Sequence, residues 1–254
     1  NFLSEIKKKQ IPLVLLNGRI TKKTYSRWLL INNSAKEIFA LFDLCLVANR
    51  ESENYLKNLG AKNIKYLGNL KFAENYEYNL DKIHHKLKKE LIKKKIWVAS
   101  STHRSEELFC AKAHIELRKK IKNLITIIIP RHVHRSQNII SEIENLNLKV
   151  SCHSSKPKSL KNTDIYIVDT FGETKKFHKI SCSVFLGGSI IYRGGQNPLE
   201  AARFGAKILH GPNIHNFIDV YKLLKSFKIS QKVGTPKKLA ASVVFKKNKN
   251  IGNK

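Results

Sequence analysis

Val184-Phe-Leu-Gly-Gly-Ser-Ile-Ile-Tyr-Arg-Gly-Gly-Gln-Asn-Pro-Leu-Glu-Ala-Ala-Arg-Phe-Gly-Ala-Lys-Ile-Leu-His-Gly-Pro212 reads as strand, glycine loop, helix and strand. The apolar run Val184 to Leu186 stops at Gly187, Gly188 and Ser189, where missing Cβ atoms let backbone N–H groups approach an anion. Gly194 and Gly195 then lead to Asn197 as an N-cap, Pro198 at the first helical position, Leu199, and Glu200 three residues after the cap. The helix N-terminus is expected to face the glycine loop, so Gly188, Ser189 and the Asn197–Glu200 turn form a candidate phosphate cradle. The residues alone leave a plainer reading open, in which Glu200 is half of a capping box and the glycines are ordinary turns.

The same rhythm extends in both directions. Strand patterns at Ile96–Ser100, Leu124–Ile129, Leu148–Cys152, Ile165–Val168, Val184–Leu186 and Lys207–Leu209 alternate with helical ones at 106–120, 136–146, 174–180, 198–204 and 217–227. Six strands with intervening helices predict a doubly wound sheet that binds ligands beyond the carboxyl ends of its strands. Upstream, strands at 11–16, 44–48 and 64–67 alternate with helices ending near Gln10, over 35–42 and over 51–59, again βαβ logic. The lysine-rich stretch Asp81 to Lys95 is either a connector or the first helix of a second domain. The expected class is α/β with two Rossmann-like domains: residues 1–80, the remainder of an N-terminal domain, and residues 81–254.

Three further loops follow strands and carry polar chemistry. After Ser100 comes Ser101-Thr102-His103-Arg104-Ser105-Glu106-Glu107, where hydroxyls and acids suit helix capping or anion binding, and His103 is a ligand-facing imidazole or a loop residue. After Ile129 comes Pro130-Arg131-His132-Val133-His134, where Arg131 on a rigid strand end can grip a phosphate or carboxylate in two-point fashion. His132 and His134 could begin a metal site, but the sequence offers no third ligand. After Val168 comes Asp169-Thr170-Phe171-Gly172-Glu173, with Asp169 a general base or, more simply, a turn residue.

These strings together resemble the bacterial 3-deoxy-D-manno-octulosonic acid (Kdo) transferases. The likeness rests on Gly-Gly-Ser at 187–189 and Gly-Gly-Gln-Asn-Pro-Leu-Glu-Ala-Ala at 194–202, where Gln196 replaces the family's usual histidine. It also rests on the Ser-Thr-His and Pro-Arg-His loops, in the first of which Ser105 replaces a glycine. Gly68-Asn69-Leu70-Lys71-Phe72 and the segment Ile11 to Arg19 extend it over most of the chain. The resemblance implies a glycosyltransferase-B fold with the nucleotide in the C-terminal domain and a lipid acceptor on the N-terminal one. It implies transfer of Kdo from CMP-Kdo to a lipid A precursor at the cytoplasmic face of the inner membrane, with inversion and no cofactor or dissociable metal. By resemblance, Pro130, Arg131, Phe171, Gly172, Glu173, Asn197, Pro198, Leu199 and Glu200 bind the donor, with Ser101, Thr102, His103, His132, Gly188 and Ser189 at its border. Lys71 takes the role of a cation that stabilises the transition state, and the general base is a glutamate expected upstream of Asn1.

Composition sets the partners. The 254 residues carry 48 Lys plus Arg against 19 Asp plus Glu, a formal charge of +29 that favours a polyanionic neighbour, nucleic acid or an anionic membrane. No zinc-finger spacing or aromatic RNA-binding signature supports nucleic acid. The resemblance implies CMP-Kdo and a lipid A precursor as partners, and the charge adds an anionic membrane surface, with no nucleic acid expected. Another two-domain nucleotide-sugar enzyme, an epimerase or a different glycosyltransferase, is the alternative, and a basic nucleic-acid-binding protein a more distant one. Four dispersed cysteines read as buried free thiols, and the absence of methionine makes the sequence read as a piece of a longer chain.

Overall fold

Every residue of Leu124–Pro130, Leu-Ile-Thr-Ile-Ile-Ile-Pro, is buried, as a strand covered on both faces by helices must be. This strand lies in the second of the two units into which the chain divides, Asn1–Tyr78 and Asn79–Lys254. The computed structural model describes residues 2–68, 70 and 83–247.

In the first unit the elements are α1 (Phe2–Lys8), β1 (Val14–Gly18), α2 (Lys22–Leu29), α3 (Asn32–Ala40), β2 (Leu44–Val47), α4 (Arg50–Asn58) and β3 (Ile64–Tyr66). Among the described residues the strands form a parallel sheet in the order β1-β2-β3. Its core gathers Ala35, Phe39, Cys45, Val47, Leu56 and Leu59. Asn49 starts α4 by accepting the Ser52 N–H at 2.7 Å, and the Ser52 hydroxyl in turn accepts the Ile20 N–H at 2.8 Å. Helix α2 escaped the sequence reading, although Thr21 caps it by accepting from the Thr24 N–H. The first strand begins at Val14, three residues later than expected, because the chain leaves α1 through a turn at Gln10 in the left-handed region.

In the second unit follow α5 (His85–Ile92), β4 (Lys95–Thr102), α6 (Glu106–Arg118), β5 (Leu124–Pro130), a 3-10 turn (Val133–Arg135), α7 (Ser136–Glu144), β6 (Val150–Cys152) and β7 (Ile165–Ile167). Then come α8 (Thr174–Ile180), β8 (Ser183–Leu186), α9 (Leu199–Arg203), β9 (Lys207–His210), α10 (Ile218–Ser226), β10 (Ser230–Lys232) and α11 (Pro236–Ser242). The described strands make one parallel sheet in the order β10-β9-β8-β4-β5-β7-β6. Trp97, Phe185, Ile128, Ile139 and Leu209 belong to its core. One strand exceeds the expected six, β10, a polar Ser-Gln-Lys edge strand paired to β9, and one helix was not expected, α11, started by Thr235 and Pro236. The lysine-rich stretch before β4 is the first helix of this unit.

Strand order decides where a ligand goes. From β4 the chain moves out through β5 to the edge strand β6, comes back to lay β7 between β5 and β6, and then crosses to lay β8 on the other side of β4. The reversal opens a crevice at the carboxyl ends of β4 and β8.

Candidate functional site

At the crevice floor β4 and β8 run in register, Ser100 opposite Leu186, and the Gly187 N–H donates to the Ser100 carbonyl at 2.9 Å. A Cβ on Gly187 would stand 2.2 Å from the Ser101 carbonyl oxygen, so only glycine lets the strand ends meet here. Glu106, the first residue of α6 and wholly buried, fills the space above them. Its Oε2 accepts the N–H groups of Gly188 at 2.7 Å and His103 at 3.0 Å, and its Oε1 those of Ile190 at 2.9 Å and Ser189 at 3.1 Å.

This corrects the expected phosphate cradle. The backbone donors of Gly188 and Ser189 do surround an anion, but the anion is the protein's own carboxylate, supplied from 82 and 83 residues away in sequence. The Ser189 hydroxyl is engaged too, donating to Leu186 and accepting the Gly211 N–H. Ser105 also departs from its expected capping role. It makes no side-chain cap bond and sits at φ 76°, the left-handed conformation suited to the glycine it replaces.

With the backbone donors committed, positive charge at the crevice comes from side chains. The Arg131 N–H donates to the Thr102 carbonyl at 2.9 Å, which fixes Pro130-Arg131 beside Ser101-Thr102-His103. The His103 and His132 rings are 5.6 Å apart, edge to face. A Cβ placed on Gly188 would lie 3.4 Å from Arg193 Cβ and 3.5 Å from both Gln196 Nε2 and His103 Cδ2, so these three side chains surround that residue. Burial lowers the His103 pKa below the ordinary imidazole value, with the charges of His132, Arg193 and Arg131 adding to it and Glu106 opposing. His103 Nε2 is buried without a hydrogen-bond partner, and the exposed Arg131 and Arg193 guanidinium groups have no ion pair among the described residues. Arg193 and Gln196 were missed as site residues. The signal was available, a lone arginine inside a glycine loop.

The neighbouring Glu107 is structural. Burial pushes its carboxyl up while Arg135, at 3.1 Å, pulls it down. His132 and His134 lie 5.6 Å apart, and among the described residues no three His, Cys, Asp or Glu side chains gather to hold a metal ion.

The remaining expected residues fall on two flanking loops. After β7, Asp169 has neither a base-like nor a turn role: its carboxylate ties this loop to the one after β6, accepting the Ser154 N–H at 2.8 Å. Phe171 is 80% exposed, and Glu173 pairs with Lys176 at 3.0 Å and faces His153 at 3.8 Å. The expected capping box at Asn197 and Glu200 does not form. Asn197 Oδ1 accepts the Leu199 N–H at 3.1 Å, Pro198 occupies the cap position, and α9 runs only from Leu199 to Arg203. Glu200 instead lies 3.1 Å from Nδ1 of the buried His178 on α8. Burial alone would raise its pKa, but the His178 contact and the Lys175 charge outweigh it and hold the carboxyl low. Lys71 and Asn69 lie outside the described residues.

Two Rossmann-like units, one with a cationic crevice at its switch point, define an α/β protein of the glycosyltransferase-B type. OtsA shares that fold, with a TM-score of 0.53 and 12% identity over 95% of this chain and 61% of that one. The C-terminal CMP-Kdo binding domain of WaaA from Acinetobacter baumannii shares the fold of part of the chain, with a TM-score of 0.57 and 23% identity over 61% of this chain and 82% of that one. In sequence, residues 1–74 match the family model of 3-deoxy-D-manno-octulosonic-acid transferase (kdotransferase). The chain is 32% identical over 215 residues to the 3-deoxy-D-manno-octulosonic acid transferase of Rickettsia felis, covering 84% of this chain and 46% of that protein. The Haemophilus influenzae enzyme of the same name is 26% identical over 230 residues, covering 88% and 53%. The chain thus spans about half the length of the curated relatives it matches.

Proposed function

We propose that this chain takes part in transferring Kdo from CMP-Kdo to a lipid A precursor, with the second unit holding the donor. The observation that carries this reading is the crevice between β4 and β8, where Arg131, Arg193, His103 and His132 converge with no ion pair to any of them among the described residues. A CMP leaving group develops negative charge as the glycosidic bond breaks, and preorganised cations in a cleft stabilise it. Phe171–Glu173 and Asn197–Glu200 would border the nucleotide. Glu106 is unsuited to be the base for the acceptor hydroxyl, because four N–H groups occupy its oxygens. The base and Lys71 belong to the mechanism on the strength of the resemblance, as do metal-free, cofactor-free transfer and a place at the cytoplasmic face of the inner membrane.

Calorimetric titration with CMP, and with UDP as the competing nucleotide, tests the donor assignment. CMP should bind more tightly, and Arg131→Ala should weaken it by about 1.5–3 kcal/mol, the worth of a charge-assisted contact. Unchanged affinity would remove Arg131 from the site. Among the described residues no helix is long and apolar enough to cross a membrane, and the lysine excess is one means of holding this part of the chain to an anionic surface. Lys7, Lys8 and Lys9 at the end of α1 would take part, each basic residue worth up to about 1 kcal/mol at an anionic surface, less for Lys7 and Lys8, which are paired with Asp43 and Glu5. Binding to anionic vesicles should then fall with salt, and equal binding to neutral vesicles would sink the idea.

A further inference from the structure

We infer that Glu106 is a positioning residue for the donor crevice: its carboxylate clamps the loop after β4 to the loop after β8 and so fixes where His103, Arg193 and Gln196 stand. The inference rests on the donor reading above and adds a residue that contacts no ligand. Four backbone N–H groups from two loops converge on one side chain, two on each oxygen, at 2.7 to 3.1 Å. Three of them, on Gly188, Ser189 and Ile190, are consecutive. Such a run of donors forms a nest with net positive potential, which a buried carboxylate satisfies completely. Without it, three adjacent N–H groups and that of His103 would be left facing one another out of water, and the loops would separate to hydrate them.

The clamp lies against the ligand-facing residues. Gly188, which donates the shortest of the four bonds, is ringed by His103, Arg193 and Gln196. Helix α6 anchors the carboxylate from below, with Cys110, Ala113 and Leu117 buried in the same core as β4 and β8 residues. The side-chain cations are therefore carried on loops whose spacing is set by a rigid helix through a single group.

Glutamine tests this sharply, because its amide has nearly the same shape but one acceptor oxygen. In Glu106→Gln one pair of N–H groups stays satisfied and the other meets an NH₂ donor. CMP affinity is measured by calorimetry on the full chain for the wild type, Glu106→Gln and Ile139→Ala, a buried truncation on α7 that lowers stability away from the crevice. At temperatures where all are folded, Glu106→Gln should lose about tenfold or more in CMP affinity, as loosened positioning does, while Ile139→Ala stays within about twofold. Equal affinity in Glu106→Gln and the wild type, or losses that track melting temperature in both variants, would overturn the clamp. If Glu106→Gln does not fold, Glu106→Asp keeps the charge but cannot reach all four donors, and it should show the same loss in smaller measure; wild-type affinity there overturns the inference as well. A wild type that does not bind CMP refutes the donor reading itself, an outcome distinct from the other results.

Discussion

Replacing Gly187 with alanine puts one methyl group into the closest backbone approach at the crevice. The new Cβ would lie 2.2 Å from the Ser101 carbonyl oxygen, 2.6 Å from Thr102 Cα and 2.7 Å from the Ser101 carbonyl carbon, all more than half an ångström inside ordinary contact. No side chain can swing away, since each obstacle is backbone. The ends of β4 and β8 must part, which costs the 2.9 Å bond from Gly187 to Ser100, about 1 kcal/mol, and strains the four bonds to Glu106. Adding about 1–3 kcal/mol for overpacking gives a loss of about 2–4 kcal/mol before any weakening of the Glu106 bonds, a large share of the roughly 5–15 kcal/mol that holds a domain together. The chain has two tryptophans, Trp28 in the first unit and the fully buried Trp97 in the second. In a Trp28→Phe background, urea denaturation followed by Trp97 fluorescence therefore reports on the second unit alone. Gly234→Ala, whose added Cβ meets nothing within 4 Å, serves as the neutral control. Loss of under about 1 kcal/mol in Gly187→Ala would show that the strand ends do not approach as described.

Two further outcomes are expected. Ser105→Gly should stabilise the chain by about 0.5–1 kcal/mol, because it relieves left-handed strain at φ 76° and removes no cap bond; destabilisation in thermal melts would refute this. Burial, with Arg118 adding and Asp164 opposing, lowers the His114 pKa from 6.5 to about 4, so the folded state holds fewer protons than the unfolded chain between those values. Stability from this site is therefore whole above pH 6.5 and is lost as pH falls toward 4, up to about 3 kcal/mol; urea midpoints across that range should show the fall, and His114→Gln should flatten it.

The fold was legible where hydrophobic pattern and strand length agree. Leu124–Pro130 announces a strand buried on both faces, and Val184–Leu186 stops at glycines that must form a turn. Ser230–Lys232 was not legible, since its Ser-Gln-Lys sequence carries no strand signal and its pairing to β9 alone makes it one. At the site, residues placed immediately after strands, such as Arg131 and His103, could be found because the strand fixes their address. The partners of the glycine loop could not. An acid in the first turn of a helix is ordinarily read as complementing the helix dipole, and nothing local connects Glu106 to Gly188. The same holds for Glu200, whose local spacing to Asn197 spells a capping box while tertiary packing gives it to His178.

The filled nest bears on how the crevice can recognise a ligand. An open run of N–H groups would grip any phosphate, with little regard to what it is attached to. On the proposed donor reading, committing those groups to Glu106 leaves recognition to Arg131 and Arg193, since planar guanidinium groups engage carboxylate and phosphate oxygens in pairs. It also leaves His103, whose lowered pKa makes it an uncharged hydrogen-bonding group at neutral pH. On that reading, CMP-Kdo offers the guanidinium groups such oxygens on both its phosphodiester and its sugar carboxylate, and the titration with CMP against UDP tests whether the crevice makes that distinction.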